Sequence, residues 1–272
     1  MFGPQQPDPV LDALQLLRVH LCVSAYFIAG LLLAWATGRR AHDARMVGGV
    51  FSVLLWLVES RVSGSFGVLY RLEFCFGHSL GSIINLNFAL KYPNQANALA
   101  CWNSGIETGL LPQVSRKILA LEALIRNPKL PSLIAWKLSF GAWNAKFKPN
   151  RTEFDWLSQD EKEVDLYVED PLCGFDVSIS MWRDILDGVF YAGNNKNLKN
   201  LPKELPVHII GGAQDPCTNN GRDMEKLAVK LGNNGLSDVT FKILEHTRHE
   251  SLNEINRDQT TTLFISWLQE RF

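Results

Sequence analysis

The sequence predicts an α/β protein with a mostly parallel sheet and an inserted helical segment. From Leu72 onward, short apolar runs bounded by turn residues alternate with amphipathic stretches, which is the pattern of strands joined by helical crossovers. A glycine-containing turn stands between the first of these runs and a helix-like stretch. Residues 106–205 separate the second and third predicted strands, and a structureless loop of that length is rare in a compact domain. We therefore expect an inserted helical subdomain there.

Composition narrows the class of protein. The chain has 272 residues, of which 46% are hydrophobic, and its formal net charge is −1. Such a chain can bury a sizeable core, and it lacks the basic excess expected of a nucleic-acid-binding protein. The five cysteines are scattered without a C-x-x-C pair, which favours reduced thiols over disulfides or a zinc site. We therefore expect a cytoplasmic protein with no nucleic-acid partner.

Residues 1–70 form an atypical hydrophobic region. Val19–Gly38 carries no Asp, Glu, Lys or Arg and, at 20 residues, is just long enough to span a bilayer as a helix. Arg18 precedes this run, and Arg39 and Arg40 follow it. A spanning helix with these flanks would leave most of the chain cytoplasmic, with possible membrane association through residues 19–38. Two alternatives remain open: the run is buried in a soluble core, or the N-terminus is aberrant.

The elements nearest the glycine-containing turn are predicted from apolar runs and helix breakers. Leu72–Phe76 is predicted to be a strand and Ser82–Lys91 a helix that Pro93 ends. Ala98–Trp102 is predicted to be the second strand. Together, residues 71–105 make up the first half of the predicted core.

The second half of the core, residues 206–272, follows the predicted helical insertion at 106–205. Its apolar runs and amphipathic stretches alternate as before. The predicted elements are a strand at Val207–Gly211, a helix near Asn220–Leu231, a strand at Val239–Leu244 and a helix near Arg257–Arg271.

The stretch Gly77-His78-Ser79-Leu80-Gly81 contains the motif that predicts a catalytic nucleophile. G-x-S-x-G between a strand and a helix is the pattern of a nucleophile elbow, a sharp turn that raises the serine hydroxyl above the sheet edge. The pattern alone also arises by chance as a glycine turn, but here a strand precedes it and a helix follows. Ser79 is therefore predicted to be a nucleophile, and the backbone N–H of Leu80 a donor to an oxyanion.

A serine hydroxyl needs a base, and the base needs an orienting acid. Asp215 directly follows the predicted strand Val207–Gly211, and His249 follows the predicted strand Val239–Leu244. Their order, serine then acid then histidine, suits the elbow motif. The sequence therefore predicts Ser79, Asp215 and His249 as the catalytic set.

Other residues compete for these roles. His246 lies three positions before His249 and is the alternative base. Side chains next to the elbow serine point away from it, so His78 is predicted to line a substrate pocket. Cys217 is predicted to be a small buried filler, because nothing in the sequence places a base beside it.

With these residues identified, the chain from about Leu72 onward resembles an α/β-hydrolase of the lysophospholipase and monoacylglycerol lipase-like group, the serine aminopeptidase S33 domain family. The resemblance rests on three stretches, Phe76–Ser82, Gly212–Pro216 and Arg248–Glu254. The inserted stretch is similar to the lid of bacterial-type members around Ser139–Thr152. The resemblance implies an α/β-hydrolase fold, the same three catalytic residues, and no metal or organic cofactor.

The N-terminal region departs from the family pattern, in which a His-Gly loop supplies the second oxyanion donor. No His-Gly dipeptide precedes Gly77, and Gly48-Gly49 is a weak substitute. The strands expected before the elbow are therefore atypical or missing. Two hypotheses follow: a serine hydrolase that cleaves lysophospholipid or monoacylglycerol esters, or an impaired or inactive hydrolase-like protein, with or without a membrane tether.

Overall fold

The computed structural model describes residues 61–63, 69–71 and 74–271 of the chain. Two short strands, β1 (Arg61–Ser63) and β2 (Leu69–Arg71), pair antiparallel. Four further strands form one parallel sheet in chain order: β3 (Phe74–His78), β4 (Ala98–Trp102), β5 (Val207–Gly212) and β6 (Val239–Leu244). Their carboxyl ends lie at one edge of the sheet.

The helices follow in chain order. They are α1 (Leu80–Lys91), α2 (Leu110–Ile125), α3 (Leu133–Trp136), a π-helical turn (Lys137–Gly141), α4 (Ala142–Asn144), a 3₁₀ turn (Ala145–Phe147), α5 (Glu161–Glu169), α6 (Ile179–Ala192), α7 (Asn195–Leu198), α8 (Arg222–Asn233) and α9 (Arg257–Gln269). Helices α2 to α7 lie between β4 and β5, where the sequence predicts a helical insertion. Helix α6 packs against α1 and α2, which joins the insertion to the sheet.

Both faces of the sheet are buried, because successive side chains of a strand point to opposite sides. On one face, Cys75 of β3 packs with apolar residues of α1 and α8. On the other face, Phe74 and Phe76 pack against Phe264 and Trp267 of α9. This double burial explains why the strands have continuous apolar runs rather than alternating ones.

The predicted α/β architecture, with a parallel sheet and helices inserted between two of its strands, is confirmed. Strands β4 and β6 have the predicted bounds. Strand β3 ends at His78, later than predicted, because Gly77 and His78 pair with the end of β4. Strand β5 likewise includes Gly212. Helix α1 begins at Leu80, immediately after the turn, so Gly81 is its second residue rather than part of a loop.

The remaining helix boundaries differ from the predictions by two residues. Helix α8 begins and ends two residues later than predicted, because Asn219, Asn220 and Gly221 have positive φ angles and precede the helix. Helix α9 ends at Gln269 rather than Arg271.

The N-terminal predictions concern mostly residues outside the described part of the chain. The run Val19–Gly38 and Gly48-Gly49 both lie there, as do all of residues 1–60. Among the helices at residues 74–271, none combines the length and apolarity needed to cross a bilayer. The predicted domain boundaries at residues 70, 105 and 205 stay predictions.

Candidate active site

Ser79 occupies the turn between β3 and α1. Its backbone angles are φ 54° and ψ −121°, a region that residues other than glycine rarely adopt. The turn is held by the Ser79 N–H, which donates to the Trp102 carbonyl at 2.9 Å, and by the Ser82 N–H, which donates to the Ser79 carbonyl at 3.0 Å. The serine is thus fixed in a strained conformation at the carboxyl edge of the sheet, as strained residues at functional sites often are.

Gly77 makes the sharp turn possible. A Cβ atom at this position would lie 2.2 Å from the carbonyl oxygen of Gly81, which belongs to the first turn of α1. No side chain fits at that distance. The first glycine of the G-x-S-x-G motif is therefore required by the close approach of helix and strand.

The structure brings together the three residues that the sequence singled out. His249 Nε2 lies 2.9 Å from Ser79 Oγ, and His249 Nδ1 lies 3.1 Å from each carboxylate oxygen of Asp215. Because the Nδ1–H group donates a hydrogen bond to Asp215, Nε2 is left with the lone pair that can accept the serine proton. All three residues are at most 1% exposed. His246, the alternative base, has an exposed side chain.

Asp215 is surrounded by hydrogen-bond donors. Its oxygens accept from the Cys217 N–H at 2.9 Å, from Thr218 Oγ1 at 2.9 Å and from Asn103 Nδ2 at 3.3 Å. Burial alone would raise the pKa of this carboxyl group, but the His249 charge and hydrogen bond, with the bonds from Thr218 and Asn103, lower it below its ordinary value. The carboxylate is therefore ionised at neutral pH.

The pKa of His249 is raised above its ordinary value. Burial lowers it, yet the charge of Asp215, the hydrogen bond to Asp215 and the charge of Glu250 together outweigh burial. A raised pKa makes the imidazole a stronger proton acceptor.

His78 contacts His249 rather than the Ser79 hydroxyl. Its Nε2 donates to the His249 carbonyl at 2.8 Å, and the two rings are 5.0 Å apart. Its Nδ1 is 3.8 Å from Glu250, and burial is the main cause of its lowered pKa. These contacts hold the loop that carries His249. The substrate contact predicted for His78 stays a prediction.

Glu254 joins the insertion to the histidine loop, and sequence reasoning missed it. The carboxylate is fully buried and accepts backbone N–H groups from Arg248 at 2.8 Å, from Gln159 at 3.1 Å and from Ile255 at 3.1 Å. Arg248 and Gln159 belong to segments far apart in the chain. A single side chain therefore fixes the position of the residue before His249 relative to the insertion.

Further hydrogen bonds join the same two segments. The Arg248 guanidinium donates to the carbonyls of Asp155 and Ser158, and the Glu250 N–H donates to the Leu157 carbonyl at 2.7 Å. Trp156 packs on the His249 ring at a centroid distance of 4.9 Å. We call residues 155–160 the anchored segment, because they are bound to the loop that carries His249.

Two groups of possible metal ligands overlap this site. They are His78 with His249 and Glu250, and Asp215 with Cys217 and His249, each with ligand atoms within 4.8 Å of one another. Both groups need a ring nitrogen of His249, and both of its nitrogens already face Ser79 or Asp215. The hydrogen-bonded arrangement accounts for this clustering without a metal.

The backbone N–H of Leu80 is the first of α1, a position without an acceptor inside the helix. It lies next to the Ser79 hydroxyl in the chain and at the positive end of the helix dipole, where negative charge is stabilised. Gly48-Gly49, the weak candidate for a second oxyanion donor, lies outside the described residues.

Comparison with solved structures finds proteins of similar fold. A carboxyl esterase from Bacillus coagulans has a TM-score of 0.64 at 22% identity, covering 74% of this chain and 65% of its own. The monoglyceride lipase of Saccharomyces cerevisiae has a TM-score of 0.55 at 19% identity, covering 74% and 62%. A monoacylglycerol lipase from Paleococcus ferrophilus has a TM-score of 0.54 at 19% identity, covering 72% and 68%. The chain thus spans about two thirds of each structure.

At these identities, the structural likeness establishes the fold alone. No curated protein sequence matches the chain. The model of one protein family, described as serine aminopeptidase, S33, matches residues 70–256 and so includes the elbow, the acid and the histidine. On that match, the chain belongs to the serine aminopeptidase S33 family of α/β-hydrolases.

Proposed function

We propose that the protein hydrolyses carboxylic esters through an acyl-enzyme on Ser79. The observation that carries this proposal is the pair of contacts made by His249: Nε2 to Ser79 Oγ at 2.9 Å and Nδ1 to Asp215 at 3.1 Å. A serine so placed has a base within hydrogen-bond reach, and the base has an orienting carboxylate.

In the first half of the reaction, Ser79 Oγ attacks the ester carbonyl carbon while its proton passes to His249 Nε2. The carbonyl oxygen becomes an oxyanion next to the Leu80 N–H. The tetrahedral intermediate collapses, the carbon–oxygen bond to the alcohol breaks, and Nε2 returns the proton to the departing alcohol. Asp215 stays ionised throughout and stabilises the transient imidazolium.

In the second half, water attacks the acyl carbon and gives its proton to Nε2. The Ser79 oxygen then leaves with that proton, releasing the carboxylic acid. The two halves balance without a metal or an organic cofactor, so none is part of the proposal.

A lysophospholipid or monoacylglycerol ester is the proposed substrate class. Support comes from the apolar surroundings of the elbow: Leu80 and Ile83 of α1 belong to one buried cluster with Phe140, Trp156 and other residues of the insertion. A pocket opening beside Ser79 between α1 and the insertion would be lined by these apolar side chains, which suit an acyl chain. The monoacylglycerol lipases among the structural neighbours favour the same class.

The proposal is tested by labelling the full chain with a fluorophosphonate probe and locating the modified residue by mass spectrometry. We expect modification at Ser79, and we expect Ser79→Ala to lose turnover of short-chain and long-chain monoacylglycerols by about 10⁴-fold or more. Ser266→Ala, at an exposed serine of α9, is the matched control and should retain both labelling and turnover.

The alternative function, an impaired or inactive hydrolase-like protein, is favoured by one observation: no His-Gly dipeptide precedes Gly77. Loss of one oxyanion donor typically lowers turnover by about 10²–10³-fold. A folded sample that reacts with neither the probe nor any ester would overturn the proposed function in favour of this alternative.

A further inference from the structure

The ring of His249 packs against a buried tryptophan of the insertion. Trp156 lies in the anchored segment, and the centroids of its indole and of the His249 ring are 4.9 Å apart, with the ring planes tilted by 43°. Both side chains are fully buried. A cation over the face of a tryptophan ring, within about 6 Å of its centroid, is attracted by the negative charge of that face. The His249 ring therefore lies at a distance where the indole favours the protonated imidazole.

The indole is held in place by its aromatic neighbours and by hydrogen bonds. Phe140 stacks on Trp156 at a centroid distance of 5.8 Å with the planes 12° apart, and Trp143 packs on it at 4.9 Å. The backbone N–H of Trp156 donates to Asn144 Oδ1 at 3.1 Å. The hydrogen bonds of the anchored segment fix its position relative to the loop of His249. The indole is therefore preorganised, as a group that stabilises a transient charge has to be.

Hydrogen bonding does not explain why a tryptophan stands at this position. Trp156 Nε1 is buried and has no hydrogen-bond partner among the described residues. A buried indole N–H usually has a partner, and leaving it without one is costly. Phenylalanine would fill much of the same space without that cost. The property that distinguishes tryptophan here is its larger aromatic face, which is the best of the side chains for binding a cation.

The other titratable groups around His249 lie outside the insertion. Burial lowers the pKa of His249, but the charges of Asp215 and Glu250 and the hydrogen bond to Asp215 outweigh burial. The ring of His78 is 5.0 Å away, and burial lowers the pKa of His78, which keeps it neutral at neutral pH. Burial raises the pKa of Cys217, whose sulfur lies within 4.8 Å of His249 and Asp215. Replacing the tryptophan of the insertion leaves all four groups in place.

We propose that Trp156 stabilises the protonated ring of His249 through a cation–π contact while an ester is hydrolysed. This inference rests on the proposed function, in which His249 takes the Ser79 proton as the oxyanion forms and holds it until the alcohol departs. The positive ring is then fully buried, and a cation–π contact is stronger at a desolvated site than at an exposed one. Trp156 acts through His249 rather than on the ester, so it is a positioning residue.

The test follows the titration of His249 by NMR in the full chain, with carbon-13 at the Cε1 atoms of histidine. The spectrum of H249A identifies the signal. The titration midpoint should lie about 0.5 to 1 pH lower in W156L than in W156F, because the contact favours the protonated ring about 3- to 10-fold. Leucine and phenylalanine leave similar space beside His249, but only phenylalanine keeps an aromatic face.

W143L is the matched control. Among the ring contacts of residues 74–271, Trp143 packs on Phe140 and Trp156 rather than on His249. The variant removes an indole from the same cluster, and the titration midpoint of His249 should match that of the wild type.

Kinetics on a monoacylglycerol gives a second readout. The acidic limb of the kcat/KM profile should move to lower pH in W156L, because less of the imidazole is protonated at a given pH. At neutral pH, kcat should be about 3- to 10-fold lower in W156L than in W156F. A lower kcat without movement of the midpoint or of the limb would overturn the proposal and assign Trp156 a packing role.

Equal midpoints in W156L and W156F would also overturn the proposal, as would a midpoint in W143L as low as that of W156L. Should W156L fail to fold, W156F is compared with the wild type: the weaker phenylalanine ring should lower the midpoint by about half as much, and no change would overturn the proposal. The NMR titration measures no turnover. A chain that shows the expected midpoints but cleaves no ester would therefore contradict the proposed function and not the contact between Trp156 and the protonated ring.

Discussion

Two buried side chains, Asn103 and Ser251, connect the acid and the base at the candidate site. Asn103 donates to Asp215, and its own amide oxygen accepts from Ser251 Oγ at 2.7 Å. Asn103 follows β4 with a φ angle of 50°, so its side chain reaches the same sheet edge as Asp215. Ser251 stands two residues after His249. The positions of the acid and of the base therefore depend on each other through one amide group.

At the scale of single residues, His246 and His249 are expected to differ sharply in function. His249→Ala removes the group within 2.9 Å of Ser79 Oγ and should lower kcat by about 10⁴-fold or more. His246→Ala changes an exposed side chain, and kcat should stay within about twofold of the wild type. Steady-state kinetics on a monoacylglycerol gives both values. The opposite ranking would assign the base to His246.

Asp215 and His249 could be predicted from the sequence because each follows a strand of a parallel sheet, and such strands end at one edge. Asn103 met the same criterion, since it directly follows the strand Ala98–Trp102. It was missed because an amide carries no charge and belongs to no motif. Glu254 offered no local signal at all, because its partners at Arg248 and Gln159 meet only after the insertion has folded onto the loop.

At the scale of elements, strand β3 and helix α1 come so close at Gly77 that no side chain fits between them. Gly77→Ala should lower the free energy of unfolding by about 3 kcal/mol, because its Cβ would lie 2.2 Å from the Gly81 carbonyl oxygen. Gly232→Ala is the matched control: its Cβ meets no atom within 4 Å, and alanine in helix α8 should raise stability by about 0.5–1 kcal/mol. Urea denaturation of both variants checks this. Equal stability of the two would contradict the steric argument.

The anchored segment makes a second prediction at this scale. Glu254→Ala removes both carboxylate oxygens and leaves the N–H groups of Arg248, Gln159 and Ile255 without that acceptor, so the loop that carries His249 should shift. We expect kcat to fall by about 10- to 100-fold with little change in KM, since small misplacements of a catalytic group have effects of this size. Steady-state kinetics on one ester separates the two constants.

Glu245→Ala is the control for this variant, because Glu245 lies in the same loop with an exposed side chain. It should leave kcat unchanged. An unchanged kcat in Glu254→Ala, or a loss that appears only in KM, would mean that Glu254 does not position His249.

At the scale of the whole molecule, His208 connects the sheet to the C-terminal helix. It lies on β5, accepts from Trp102 Nε1 through Nδ1 at 3.0 Å and packs against Phe264 and Trp267 of α9. Burial first, and the charge of Arg271 second, lower its pKa to about 4. The imidazole therefore stays neutral in the folded protein at pH values where it is already protonated in the unfolded chain.

This difference gives stability a defined pH dependence. The contribution of a neutral His208 is fully present above pH 6.5 and is lost as pH falls toward 4, amounting to about 3 kcal/mol. His208→Gln keeps an acceptor for Trp102 but does not titrate. The difference in unfolding free energy between wild type and variant should therefore change by about that amount between pH 7 and pH 4. Parallel pH profiles of the two proteins would rule out the buried neutral histidine.

The fold class and the strands followed from the sequence because apolar runs, breakers and the elbow motif are local signals. The exposed face of α2 did not, since its leucines have the spacing of an ordinary core helix. Only the packing of α6 on the opposite face of α2 shows that these leucines are not buried by the described residues. Burial depends on neighbours distant in sequence, and periodicity alone cannot identify them.

The anchored segment has a consequence for how this family can diversify. An insertion attached only at its ends could be exchanged between relatives as a module, and its effect on substrate specificity would be transferred with it. Here residues 155–160 support the loop that carries His249, whereas α2 contributes nothing to that loop among the hydrogen bonds of the described residues. Evolution, or a designer of chimaeras, can therefore replace α2 without breaking the hydrogen bonds that hold the loop of His249. The middle of the insertion has to be inherited together with the histidine.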